Sequence, residues 1–213
     1  MNAPNPIPKQ GRKWQQVLDG ARSVFLRDGF EGASVDDIAR EACVSKATLY
    51  SYFPDKRLLF VEVAKMECRA QSEAAIAKVE EARDLRQALM MAAGQMVRFF
   101  LSDVGIQVHR IVVGESQRFP EVGHEFFLSG PAMVKEALRQ FLQCHVEKGE
   151  LDIADVPLAA EQFAELCKAG LHLPLVLGLR TRESISEEEI DRVIEGAVEM
   201  FMCRYGVKFE NAV

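Results

Sequence analysis

The chain has 213 residues, of which 48% are hydrophobic and 27% charged, and it carries a net charge of −6 at neutral pH. That composition supplies a substantial core and excludes disordered and collagen-like classes. No apolar run approaches the ~20 residues that cross a bilayer, the densest being LHLPLVLGL at 171–179, so no membrane partner is expected.

The charge is unevenly spread. Residues 1–60 hold nine Lys/Arg and seven Asp/Glu, leaving 17 basic against 25 acidic residues for the rest. A slightly basic head on an acidic body places any anionic partner at the N-terminal quarter. The five cysteines are odd in number and form no CxxC pair, and the opening MNAPNPIP has no apolar signal region. Free thiols in a reducing cytoplasm are expected, most of them acting as small buried hydrophobes.

In chain order, the proline-rich opening reads as a disordered arm over 1–9. Trp14, Val17, Leu18, Ala21 and Phe25 recur at helical spacing, and Gly29 supplies a left-handed stop. SVDDIAREA (34–42) opens on Ser34 with Asp37 three residues on, a capping-box pattern that buries Ile38 and Ala39. After a three-residue turn, Ser45 can cap a second short helix, and Pro54 ends it. Asp55 then caps a long helix from about Lys56 to Glu80. Further amphipathic stretches follow at 84–101, 104–117, 131–148, 158–178 and 186–205, with Pro174 expected to kink the fourth. No alternating strand pattern occurs. The expected fold is all-α, with about nine helices.

The helix over 45–53, VSKATLYSYFPDK in its context, is too short to justify itself as core, yet it is crowded with polar side chains. Two short helices separated by three residues have helix-turn-helix spacing, in which the second lies in the DNA major groove. Lys46 can donate to guanine O6 and N7, and Ser45 and Thr48 can bond bases or phosphates. Ala47 permits close approach to a thymine methyl, and the hydroxyls of Tyr50 and Tyr52 can reach phosphate oxygens. Lys56 stands in the first turn of the next helix, where the N-terminal dipole also favours phosphate. Val44, Leu49 and Phe53 are expected to face inward.

GFEGASVDDIAREACVSKATLYSYFPDKRLLF (29–60) resembles the DNA-binding domain of the TetR/AcrR family of bacterial transcriptional regulators. The resemblance covers about residues 10–60; RFPEVGHEFFLSGP (118–131) is similar, less specifically, to the C-terminal domain of some AcrR-like members. It implies a helix-turn-helix domain at 10–56 joined to a helical effector-binding and dimerisation domain at 57–213. It also implies a homodimeric repressor that leaves a palindromic double-stranded operator when a small-molecule effector, whose identity the sequence does not give, binds. By position, the family assigns Ser34, Thr48, Tyr50, Tyr52 and Lys56 mainly to phosphate, and Ser45, Lys46, Ala47 and Ser51 to bases. Two departures stand out. Cys43 occupies a turn position where many members have glycine, so a differently shaped turn is expected. Asp36 replaces a residue that is a base-contacting arginine in some members, and a carboxylate there is expected to keep away from DNA. These departures sustain a rival reading, a helical ligand-binding or scaffolding protein with impaired DNA binding.

Elsewhere, Met90, Met96, Phe99, Phe100, Phe126 and Phe127 offer adaptable apolar walls for an effector pocket, with His109 as a polar handle and His145 as a second candidate. Phe163, Leu166, Leu173 and Leu177, with Ile190, Val193, Ile194, Ala197 and Phe201, form broad apolar faces on the last two helices. By the resemblance, these are the dimer interface. Glu121 and His124 form one Glu-x-x-His pair, but a di-iron bundle needs two, and hydrolase or phosphate-loop signatures are missing. Neither a metal, a cofactor nor enzymatic activity is expected.

Overall fold

Side-chain oxygens start most of the helices. In the computed structural model, which describes residues 11–79 and 82–207, the order is α1 (Arg12–Gly32), α2 (Val35–Glu41), α3 (Lys46–Tyr52), α4 (Lys56–Val79), α5 (Leu85–Phe100) and α6 (Asp103–Glu115). It continues with α7 (Pro120–Ser129), α8 (Pro131–Glu147), α9 (Val156–Leu166), α10 (His172–Val176), a 3-10 turn (Arg182–Ser184) and α11 (Glu187–Tyr205). The arm at 1–9 and the expected helix end at Glu80 lie outside the described residues. Among the described residues the fold is all-helical, apart from one isolated bridge between Leu151 and Gly206.

Chain contacts divide the protein into two compact units. The first comprises the residues up to Glu67 together with 110–126, and the second comprises 68–109 and the remainder. The division falls inside α4.

In the first unit, Val17, Leu18, Ala21, Val24, Phe25, Ile38, Leu49, Phe53 and Leu59 form the core. Phe25, Phe30 and Phe60 pack as an aromatic trio at 5.0–6.2 Å. Gly29, at φ 70° and ψ 179°, breaks the helical path as expected, and a short stretch resumes beyond it to Gly32. Gly20 is required by close approach: a Cβ there would lie 2.6–2.7 Å from the N, Cα and Cβ of Ala42. The capping box expected at α2 is half made. Asp37 N–H donates to Ser34 Oγ, but the Asp37 carboxylate accepts from the Ser34 hydroxyl and from Arg40 instead of reaching back to the backbone. Asp55 caps α4 by accepting from Arg57 N–H at 2.8 Å. Two ion pairs fasten 110–126 to the start of α4: Arg57 to buried Glu115, and Lys65 to Glu125 at 2.8 Å. Burial pulls the Lys65 ammonium down, but bonds to Glu125 and Glu62 outweigh it and leave its pKa above the ordinary value.

The second unit has one core built from α5, α8, α9, α10 and α11, with Leu89, Ala93, Val97, Leu142, Phe163, Ile190 and Phe201 at its centre. Three expectations change here. The segment 120–129 is a helix, with Pro120 at its first position, where a missing N–H costs nothing. The stretch 158–178 is two helices, broken by turns at 167–171 that contain Gly170 at φ 74°. Pro174 does not cause the break; it sits in the first turn of α10, where it is tolerated.

The third correction concerns the apolar faces assigned to dimerisation. Phe163, Ile190, Ile194, Ala197 and Phe201 are 0–5% exposed and fill this unit's own core, while Leu166 and Val193 are half-buried against it. The periodicity located the apolar stripe correctly, but α5 and α9 cover it within the monomer. Only Leu173 and Leu177 of that set are open, each 62% exposed, beside Leu158, Leu179 and Met200, which the sequence reading passed over. The thiols also differ from expectation: Cys167 is buried, whereas Cys43, Cys144 and Cys203 are exposed.

Candidate nucleic-acid interface

Ser45 starts α3, its Oγ accepting from Thr48 N–H at 3.1 Å and lying 2.8 Å from Thr48 Oγ1. Leu49 and Phe53 anchor the helix inward, and Val44 is half-buried. The opposite face is open: Ser45, Lys46, Ala47, Tyr50 and Ser51 are all exposed, and Thr48 and Tyr52 lie at its edge, half-buried. The structure therefore collects seven of the expected contact residues on one short helix and its cap.

The turn between α2 and α3 keeps the left-handed geometry that glycine would favour. Cys43 has φ 51°, so the substitution is absorbed as backbone strain and the turn is not reshaped. Cys43 N–H donates to Arg40 O and Val44 N–H to Ala39 O, which holds the turn closed.

Two lysines are already engaged. Lys46 pairs with Asp36 across the helix pair. Lys56 Nζ donates to the carbonyls of Phe30 and Ala33 at 2.9 and 3.0 Å and lies 4.5 Å from the Phe30 ring centroid. Its ammonium thus completes the end of α1, a use the sequence did not suggest because the carbonyls come from a kink more than twenty residues away. Ser34 is half-buried in its capping role and Ser51 donates to Thr48 O at 2.6 Å.

Of the residues expected around an effector, the second unit brings Phe99, Phe100 and His109 together. The Phe99 and Phe100 rings are 6.0 Å apart, and both Phe100 and His109 approach His172, at 5.8 and 5.0 Å. Met90 and Met96 pack against the core. Phe127 is exposed under the Lys135 ammonium, and Phe126 belongs to the other unit. His145 is occupied by Glu150 and packs on Phe141. His172 was missed because nothing local marks it; its partners lie on other helices. Among the described residues no group of three or more His, Cys, Asp or Glu side chains is placed to hold a metal, and no single helix is long and apolar enough to cross a membrane. The Glu121 side chain lies outside what is described.

Residues 17–63 match the model of "Bacterial regulatory proteins, tetR family", and residues 87–207 match that of the "AefR-like transcriptional repressor, C-terminal domain". The chain belongs to the TetR family. It is a DNA-binding transcriptional repressor of that family, whose members and relatives are regulators, not enzymes. A TetR-family relative, the HTH-type transcriptional repressor AcnR of Corynebacterium glutamicum, is 26% identical over 185 residues, covering 86% of this chain and 91% of that protein. The structure of the flavonoid-responsive regulator FrrA is 34% identical with a TM-score of 0.64, covering 93% of this chain and all of that one. A putative TetR-family regulator from Mesorhizobium loti superposes with a TM-score of 0.73 at 23% identity over the same 93%, which speaks for the fold alone.

Proposed function

We propose that this TetR-family protein binds a two-fold symmetric operator as a homodimer and is released from it by a small apolar effector. The observation that carries the DNA reading is the open face of α3. A seven-residue helix held inward by Leu49 and Phe53 presents Ser45, Lys46, Ala47, Tyr50 and Ser51 outward, the pattern a reading head needs. Ser45, Lys46, Ala47 and Ser51 are assigned to base edges. Tyr50, Tyr52, Thr48 and Ser34 are assigned to phosphate, with Lys56 joining them through the one ammonium hydrogen that its two carbonyl partners leave over.

The DNA-binding part is taken as 10–56 and the effector and dimer part as 57–213. Release follows if the effector prefers a dimer whose two reading heads no longer match half-sites ~34–36 Å apart. A ~100-fold preference, about 2.7 kcal/mol, empties a moderately tight operator. For the dimer, the exposed Leu158, Leu173, Leu177 and Met200 replace the buried set. Of these, Met200 also lines a groove of about 460 Å³, together with Gln162 and Leu166 of α9, Ala169 of the turn that follows and Arg204 of α11.

The test is footprinting on the DNA upstream of the protein's own gene. A protected two-fold symmetric site, bound at least 10³ times more tightly than random DNA at the same salt, supports the reading. Equal affinity for both overturns it.

A further inference from the structure

Deepening the ligand-responsive reading, and resting on it, we propose that His109, His172 and Lys168 form the head-group site for a ligand with an apolar body and one anionic oxygen, a carboxylate or a phenolate. The three groups converge from different places in the second unit: His109 from α6, His172 from α10, and Lys168 from the turn between α9 and α10. The imidazoles meet edge to face, centroids 5.0 Å apart and planes at 87°. Phe100 of α5 joins them, 5.8 Å from His172, with the Lys168 ammonium 5.0 Å from its ring centroid. His172 is 9% exposed while His109 is open, so the cluster runs from a buried end to solvent.

The converging donors are what suit an anionic occupant. Three nitrogen bases face one another. Among the described residues Glu165 is the carboxylate that acts on them, and it is 69% exposed and bonded to Lys168 at 2.6 Å. Neither imidazole has a hydrogen-bond partner among the described residues. Burial, then Lys168, holds His109 below the ordinary histidine range, and burial followed by His109 and Lys168 does so for His172. Both rings are therefore neutral at physiological pH, each with an N–H to donate. An anionic oxygen placed among them can receive an N–H from each ring and share the Lys168 ammonium with Glu165. The Phe99–Phe100 pair beside them supplies the wall for the apolar body.

The experiment titrates the full-length protein with decanoate, decan-1-ol and 2,4-dinitrophenolate at pH 7.5, by calorimetry. At least one anion is expected to bind ten-fold or more tightly than decanol, and the better anion tells carboxylate from phenolate. His172→Ala and Lys168→Met should erase that preference, and Lys168→Arg should retain it. Equal binding of anions and alcohol, no anion binding below millimolar, or an unchanged preference in both variants overturns the site. Operator affinity of wild type and variants without ligand is measured alongside. Its persistence isolates a failure of the head-group site from a failure of the repressor reading.

Discussion

Asp36, the second residue of α2, forms an ion pair with Lys46, the first residue of α3. Both side chains are more than half exposed, so the pair adds little to stability. Its effect falls on recognition, because the carboxylate occupies the ammonium on the face offered to DNA. Phosphates must compete with it, and it repels them. Asp36→Asn is expected to raise affinity for operator and random DNA alike and to steepen the salt dependence by about one unit of slope. Lys46→Ala should instead relax preference at one base pair, by roughly 1–3 kcal/mol. Retardation assays at four salt concentrations decide it; an Asp36→Asn protein with unchanged slope would remove the carboxylate from the DNA-facing field.

Much of this architecture was legible because helix starts are local chemistry. Ser34, Ser45 and Asp55 each cap the helix their position announces, and the spacing of α2 and α3 follows directly. Tertiary choices were not legible. A helical stripe such as Ile190, Ile194, Ala197 and Phe201 says that something covers it, and the same pattern serves a monomer core or a partner. The carbonyl contacts of Lys56 and the place of His172 were not legible for the same reason, since their partners Phe30, Ala33 and Phe100 are distant in sequence. The stretch 120–129 was left out of the expected helices, although a proline at the first helical position, as Pro120 is, breaks nothing.

Cys43 stores strain in the helix-turn-helix turn. At φ 51° a side chain crowds the following carbonyl, at a cost of about 1–2 kcal/mol. Glycine removes that cost but gains freedom in the unfolded chain, so Cys43→Gly should stabilise the protein by about 1 kcal/mol or slightly less. Cys43→Val should destabilise it. The midpoints of urea unfolding give both values. Native iodoacetamide labelling provides a parallel check. Cys43, Cys144 and Cys203 are exposed and should react. Burial pushes the Cys167 thiol up to about 12, so it should stay unlabelled until the protein unfolds.

The histidine pair makes stability depend on pH in one direction. Both His109 and His172 are held below the ordinary value of 6.5 in the folded protein, chiefly by burial. Unfolding therefore takes up protons once the pH drops below about 6.5. Stability is full above that value and declines as the pH falls from there through the lower folded values. The carboxylates held low, Glu136 and Glu189 at about 2, titrate far below this window and do not blur it. Melting temperature should fall between pH 7.5 and 5.5, and His172→Gln should flatten the fall. An unchanged slope in that variant would mean that the pair carries no protonation penalty.

The final expectation separates an assembly surface from a core. Leu173 and Leu177 are each 62% exposed, whereas Phe201 is 1% exposed and meets the Phe163 ring at 5.1 Å. A charge at either exposed leucine costs the monomer little, because most of the side chain is already in water. It does place an unpaired carboxylate in any interface formed there, and a buried unpaired charge costs several kcal/mol. Leu173→Glu and Leu177→Glu should therefore sediment as monomers with native helical content and bind operator far more weakly, because one reading head grips only one half-site. Phe201→Glu should behave differently. Removing a core ring alone costs about 3–5 kcal/mol, and a carboxylate in its place adds to that, so the variant should unfold before its assembly can be measured. Sedimentation velocity with circular dichroism on the three proteins checks this. Dimeric Leu173→Glu and Leu177→Glu would shift the interface away from this face.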